Sequence, residues 1–387
     1  MNRVRLGIIG LGNMGTQHYR TVQKQTVQRV EVRAVCDLDP SRLTEVDPQI
    51  PKFQDSAELI RSGLVDAVLI ATPHYDHTSI GIDALEQGLH LLVEKPISVH
   101  KRDCLRLIEA YEQRPKSEQV FCAMFNQRTD PRYQQIRDMI RNDELGVLRR
   151  MNWIITDWFR TDIYYRSGGW RATWKGEGGG VLLNQCPHQL DLLWWLFGPP
   201  ESVWAQCRFG QWHDVEVEDD VTALLTYANG ATCSFITTTG ETPGTNRLEI
   251  VGDKGTVIAD ESGLKWLRND VAIQEYCRTS DKPFGKPEVT ETQIPIAGKG
   301  GQHPEILQNF IDAVLDQAPL LAPAEEGLHS VELANAMLLS TFEGQPVSYP
   351  LDPEQFWKHL EHKISTSTYL KEAVKVSVNA ADMNNSY

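Results

Sequence analysis

Two short runs in this 387-residue chain carry residue types at spacings that serve chemistry. The first is Gly10-Leu11-Gly12-Asn13-Met14-Gly15, a GxGxxG loop between an apolar strand candidate (VRLGIIG) and a helical stretch. In that setting Gly10 permits a tight turn, Gly12 lets backbone approach a pyrophosphate, and Gly15 lets the helix pack closely. The helix N-terminus then offers unpaired N–H groups to phosphate. Asp37 ends the next strand candidate, where a carboxylate takes the adenosine ribose hydroxyls and repels a 2′-phosphate, so NAD is favoured over NADP. A helix cap for the residues after it is the plainer role for Asp37. The second run is GGGVLLNQCPHQLDLLWWLFG. Read as one helix over 181–197, it sets Asn184, His188 and Asp191 at i, i+4 and i+7 on one face. Polar groups on so apolar a helix need partners, and a bound polyol would supply them. Pro187 inside that pattern predicts a local kink.

Between these runs lies a crowd of aromatics: Trp153, Trp158, Phe159, Tyr164, Tyr165, Trp170 and Trp174, interleaved with Asp157, Arg160, Asp162, Arg166 and Arg171. Aromatic faces stack on sugar C–H surfaces while polar groups orient hydroxyls. For any single ring, burial in a core or interface is an equal alternative. As a set they point to a pyranoside rather than a small hydroxy acid. Two further strand candidates end in Thr72-Pro73, followed by His74 and His77, and in Glu94-Lys95-Pro96. Both are C-terminal strand ends, where open parallel sheets bind ligands. No further His or Cys stands near His74 and His77, so no metal site is expected.

These residues need a frame to hold them. Up to about residue 125, short apolar runs alternate with amphipathic stretches, which predicts a doubly wound parallel sheet, a Rossmann fold. Residues 126–350 carry strands in series (SVWAQCRF, VTALLTY, ATCSFITTT, RLEIVG, GTVIAD) with few helices between. That predicts an α/β unit with a large, mostly antiparallel open sheet, helices on one face, and helices at 305–316 and 326–341 closing it. Residues 351–387 read as a helix and a tail.

Composition narrows the partners. Lys and Arg number 38 against 52 Asp and Glu, a net charge of −14, which disfavours nucleic acid and anionic membrane. No apolar run approaches the roughly 20 residues that span a bilayer, and the N-terminus lacks the pattern of a secretory signal. The seven cysteines are an odd number without a CxxC pair. They read as buried free thiols in a reducing compartment, so a cytoplasmic protein is expected.

GLGNMG, Asp37, ATPHYDH, EKP and GGGVLLNQCPHQLD, in that order, resemble the glucose–fructose oxidoreductase / inositol dehydrogenase / rhizopine-catabolism (Gfo/Idh/MocA) family. The resemblance runs to about Pro350; EKP with GGG…HxxD is its specific part. It implies an NAD-dependent oxidoreductase acting on a secondary hydroxyl of a sugar or cyclic polyol, assembled as a homodimer or homotetramer through the open sheet. It places Lys95 beside the nicotinamide and the reacting hydroxyl, and the proton-transfer histidine at His188. Substrate contacts fall to Asn184 and Asp191, with Asp157, Tyr164 and Arg171 from the aromatic stretch. Cofactor contacts fall to Gly10, Gly12, Asn13, Met14, Gly15, Asp37, Thr72, Pro73, His77, Glu94, Lys95 and Asn126, with Trp170 and Arg171 closing over the nicotinamide. Asn184 departs from the pattern, since many members have aspartate there, which puts a strict Asp–His pair in doubt. Residues 156–191 look like the branch of glycoside 3-dehydrogenases and levoglucosan dehydrogenases. An inositol dehydrogenase and a non-catalytic NAD-dependent sensor are the rival readings.

Overall fold

The computed structural model describes residues 2–371 and residue 374. Two sheets organise it. The first alternates strands and helices along the chain: β1 (Val4–Ile9), α1 (Asn13–Gln23), β2 (Val30–Cys36), β3 (Lys52–Phe53), α2 (Ser56–Arg61), β4 (Ala67–Ile70), α3 (Asp76–Glu86), β5 (His90–Val93), α4 (Lys101–Glu112) and β6 (Phe121–Ala123). Its strands are ordered β3-β2-β1-β4-β5-β6, and every pair is parallel. The strands are apolar nearly throughout because helices cover both faces; all of Ala67–Ile70 is buried. The order reverses between β1 and β4, which opens a crevice at the carboxyl ends of those strands.

After α5 (Pro131–Arg141), capped by the Asp130 carboxylate on the Arg132 N–H at 2.8 Å, the chain enters the second sheet. In order come β7 (Leu148–Ile155), α6 (Asp162–Arg166), α7 (Pro187–Phe197), β8 (Ser202–Phe209), β9 (Glu218–Thr226), β10 (Thr232–Thr238), β11 (Asn246–Gly252), β12 (Gly255–Asp260), β13 (Gly263–Asn269), α8 (Ile273–Thr279), β14 (Val289–Ile294), α9 (Gln302–Asp316), α10 (Gly327–Glu343), β15 (Val347–Ser348) and α11 (Pro353–Thr366). The nine strands are ordered β14-β13-β12-β11-β7-β10-β9-β8-β15, all antiparallel except the β7–β10 pair. Period-2 burial marks one covered and one open face. Along β8, Val203, Ala205 and Cys207 are buried while Trp204, Gln206 and Arg208 alternate outward. Among the described residues no helix is long and apolar enough to cross a membrane.

Three sequence expectations change here. The helix expected over 181–197 starts only at Pro187, which takes the first helical position, where its missing N–H costs nothing. Residues 181–186 form turns instead, so Asn184 is not on α7 and Pro187 initiates the helix rather than kinking it. Helix α9 does not close the second unit: Ile306, Leu307, Phe310 and Ile311 pack, fully buried, into the core of the first sheet. Each such side chain contributes about 1.5–3 kcal/mol through burial, so the return is strongly held. The edge strand β14 and its neighbour β13 are not among the strand candidates; exposed, polar β14 has no apolar alternation. Of the residues expected to form a C-terminal helix and tail, 353–366 are helical; 372–373 and 375–387 lie outside the described residues.

Candidate active site

The loop between β1 and α1 is shaped by what a side chain would strike. Gly10 has φ +90°, and a Cβ there would lie 2.6 Å from the Ala71 carbonyl oxygen. A Cβ on Gly15 would lie 1.8 Å from the Gly10 oxygen, so only glycine lets α1 start so close to the turn. At Gly12 the nearest atom a Cβ would meet is Arg42 Nη1 at 3.9 Å, leaving open space in front of the helix N-terminus. Asn13 is exposed there and Met14 partly so. The buried Asp37 carboxylate accepts from the Leu11 N–H at 2.7 Å, the Asp39 N–H at 2.8 Å and Arg42 Nη1 at 3.3 Å, which locks the loop to the end of β2.

At the neighbouring strand ends, Thr72 Oγ1 is buried without a hydrogen-bond partner, and so is Asn126 Oδ1, whose Nδ2 donates to Gln302 at 2.7 Å. Buried polar atoms without partners are rare, and a bound dinucleotide would satisfy them. These orphaned atoms and the open glycine loop fit NAD. His77 sits differently from its expected contact role. Its Nδ1 lies 2.8 Å from the Pro96 carbonyl oxygen and its Nε2 2.9 Å from that of Thr72, so the ring ties the two strand-end loops together from behind.

The chemistry gathers where β5 meets the turn before α7. Glu94 is buried and bonded to His18 Nε2 at 2.7 Å; that pairing holds its carboxyl down at about 2 despite burial. Next to it, Lys95 Nζ donates to the Asn184 carbonyl oxygen at 2.8 Å, linking the two sheets. Burial lowers the Lys95 ammonium pKa, Glu94 opposes that, and Arg171 adds to it. The Asn184 side chain accepts from Tyr164 OH at 2.9 Å and donates to Glu177. Tyr164 OH in turn accepts from Arg171 Nη1 at 2.9 Å and Gln185 Nε2 at 3.0 Å. Trp170 stands edge-on to His74 at 5.1 Å, under the Arg171 guanidinium. His188 is 2% exposed, with neither ring nitrogen hydrogen-bonded among the described residues. Burial, then Lys95 and His303, push its pKa well below the usual histidine value, so it is neutral near pH 7.

Other expected site residues fall elsewhere. Asp191 is bound on both oxygens by Arg128, Nε at 2.8 Å and Nη2 at 2.5 Å, with both residues fully buried. A buried carboxylate requires such pairing, so Asp191 stands in the wall as Arg128's partner rather than open to a substrate. Asp157 is exposed beyond β7, in the stretch before α6, and partial desolvation raises its carboxyl pKa against the pull of Asn246, Arg160 and Lys299. Trp153, Trp158, Tyr165 and Trp174 belong to the core of the second sheet and Phe159 is exposed, which leaves Tyr164 and Trp170 as the rings at the seam. Cys186 is buried against Thr237 Oγ1 at 3.0 Å, its thiol pushed up to about 12, as a packing role requires. Sequence reading passed over Arg42, His18, Glu177 and Gln185. Each is a polar residue whose partner lies far along the chain or across a turn, so no local spacing marks it.

Known proteins share this architecture and its motifs. Residues 4–121 match the oxidoreductase family with an NAD-binding Rossmann fold, and residues 133–258 match the GFO/IDH/MocA C-terminal domain. The chain is 32% identical over 199 residues to the rhizopine catabolism protein MocA of Rhizobium meliloti, covering 51% of this chain and 58% of that protein. It is 25% identical to inositol 2-dehydrogenase 2 of Paenarthrobacter aurescens over 345 residues, 87% of this chain and 96% of that one. Among solved structures, the WlbA dehydrogenase of Bordetella pertussis, in complex with NADH and UDP-GlcNAcA, superposes with a TM-score of 0.75 at 26% identity over 90% of this chain and 100% of that one. Levoglucosan dehydrogenase with NADH and levoglucosan shares the fold at a TM-score of 0.74 and 20% identity, over 90% and 100%. With both halves of the chain matched in order, and the glycine loop and strand-end lysine where a dinucleotide would need them, the protein belongs to the GFO/IDH/MocA oxidoreductase family and carries its NAD-binding Rossmann fold.

Proposed function

We propose that the protein is an NAD-dependent dehydrogenase that oxidises a secondary hydroxyl of a sugar, glycoside or cyclic polyol, C3 of a pyranoside being the favoured position. The observation that carries this is the seam itself: a buried histidine with no hydrogen bond among the described residues and a lysine that acts on it electrostatically, its own pKa lowered by burial, beside the Tyr164, Arg171 and Trp170 cluster. NAD, when bound, supplies the acceptor for hydride. Lys95 takes or shares the hydroxyl proton, since burial disfavours its charged form. Neutral His188 offers one donor and one acceptor to the same hydroxyl or its neighbour. Tyr164 and Trp170 present ring faces to a sugar, and Arg171 offers hydrogen bonds to it. Loop backbone from Gly10 to Gly15 holds the pyrophosphate, Asp37 the adenosine ribose, and Asn126 and Thr72 the nicotinamide side. Asn184 takes no proton; it orients Lys95 and Tyr164.

The inositol 2-dehydrogenase relative, matched over most of both chains, favours a second reading in which the ring polyol is an inositol. A non-catalytic sensor has no need of both Lys95 and His188. Assembly as a homodimer or homotetramer is proposed through the open face of the second sheet, where Trp204 and Leu224 stand exposed opposite one another on β8 and β9. The deciding experiment is absorbance at 340 nm with purified protein, NAD or NADP, and a panel of glycosides, anhydrosugars, aldoses and inositols. NADH formation with pyranosides supports the main reading, and with inositols the second. Absence of turnover throughout, with NAD bound, would overturn both.

A further inference from the structure

The seam contains a buried acid that the proposed reaction does not use. Glu177, 1% exposed, is the one carboxylate on the loop between α6 and α7, whose cations Arg171 and Lys175 are partly or fully in water. One of its oxygens accepts from the Ala172 N–H at 2.5 Å, and the other from the Asn184 amide. Asn184 is also the residue whose carbonyl receives Lys95 Nζ at 2.8 Å. Glu177 and Lys95 are therefore two hydrogen bonds apart through one residue, one on either side of the junction between the sheets.

We propose that Glu177 is a positioning residue for Lys95, holding the lysine in its working place and charge state from the second-sheet side through Asn184. This rests on the reading of Lys95 as the proton-transfer group. Glu94 does the corresponding work from the first-sheet side, through the backbone: its second oxygen accepts from the Lys95 N–H at 3.2 Å. The lysine thus sits between two buried carboxylates, neither of them bonded directly to its ammonium. That arrangement suits a proton-transfer lysine. A direct ion pair would keep the ammonium charged and bound, whereas carboxylates held one residue away temper the cost of burial without seizing the nitrogen.

The groups facing this pair come from several elements. Burial raises the Glu177 carboxyl pKa, opposed by Arg171 from the same loop, by the bonds from Ala172 and Asn184, and by Lys371 from the C-terminal segment, whose Nζ is bonded to the Arg171 carbonyl at 2.8 Å. Glu218 on β9 and Tyr165 on α6 also feel Glu177. Lys95 is faced by Glu94, Arg171, Glu177 and Cys186, and itself acts on His74, His188 and His303. Among these, Glu177 opposes the effect of Arg171 on Lys95.

The test reads Lys95 without a substrate. The intact protein is trace-labelled with acetic anhydride at a series of pH values, and the labelling of the Lys95 peptide is quantified by mass spectrometry against that of an exposed lysine outside this loop, Lys286. Removing the charge in Glu177→Gln should lower the Lys95 midpoint by about half to one unit, a roughly three- to tenfold rise in its neutral fraction. Glu177→Asp, which keeps the charge but withdraws it by one methylene, should fall between that variant and the parent. A Lys95 midpoint unmoved in a Glu177→Gln protein that still binds NADH overturns the proposal. If that variant does not fold, a midpoint at or above the parent value in Glu177→Asp does the same. A Lys95→Ala protein with full turnover would instead remove the lysine from the reaction and leave the labelling result standing, so the two failures are distinguishable.

Discussion

The glycine loop and the Lys95–Asn184 seam hold their functional groups by opposite means. The loop works through backbone and through the absence of side chains: Gly10, Gly12 and Gly15 make room, and Asp37 locks the turn through the Leu11 N–H. Its parts lie within 28 positions of one another. The seam gathers groups from the end of β5, the loop before α7, and α7 itself, the first two joined by the Lys95–Asn184 hydrogen bond that spans 89 positions. A motif of the first kind is stiff and repeats from protein to protein. The second kind can be rebuilt one residue at a time, which suits a family whose members share a cofactor and differ in what they oxidise.

Removing the seam's lysine separates the two regions most sharply. Lys95→Ala should cut kcat by about 10²–10⁴-fold, the usual worth of a positioned acid–base group, while NADH titration by fluorescence shows near-parental affinity. Equal losses of both would mean that the loop and the seam are one site energetically, against the contrast drawn above. Next in size is the pair behind the seam. Arg128→Met leaves Asp191 buried and unpaired and should cost about 3–5 kcal/mol of stability in denaturant unfolding. Removing both charges, as Arg128→Met with Asp191→Leu, should recover most of that; if the double variant is no better than the single, the pair is not what holds α7 there.

The smallest effect is in pH. His303 is pushed down to about 4, chiefly by burial. Below the unfolded histidine value near 6.5, the unfolded chain takes up a proton that the folded one refuses, so stability falls with pH from about 6.5 to about 4, by up to about 3 kcal/mol from this group. His74 and His188, lowered in the same sense, add to the loss. Glu94 contributes in its own window: its folded value of about 2 lies below the usual carboxyl value, so its stabilisation is present above about 4.5 and lost as pH falls toward 2. A His303→Asn protein should therefore lose less stability than its parent between pH 6.5 and 4 in thermal melts. A parallel decline in the two would remove His303 from the account.

Local order made part of this protein legible in its sequence. Alternating apolar runs and helices prescribe a parallel sheet, because strands covered on both faces must be apolar throughout, and the GxGxxG run between strand and helix prescribes a dinucleotide loop. Periodicity misled at 181–197, where an apolar run hides the turn that Pro187 ends. It was silent on β14, whose exposed edge carries no alternation.

What the sequence determined by itself, then, is what nearest neighbours along the chain decide: strand and helix periods, the glycine loop, and the presence of a lysine at a strand end and a histidine on an apolar helix. Only the tertiary structure decided that Asp191 belongs to Arg128, that α9 returns to the first sheet, that most of the aromatics are core, and that Glu177 stands behind Asn184. The reason is physical. A buried charge or hydroxyl must find a partner wherever folding delivers one, and chain distance does not enter that choice.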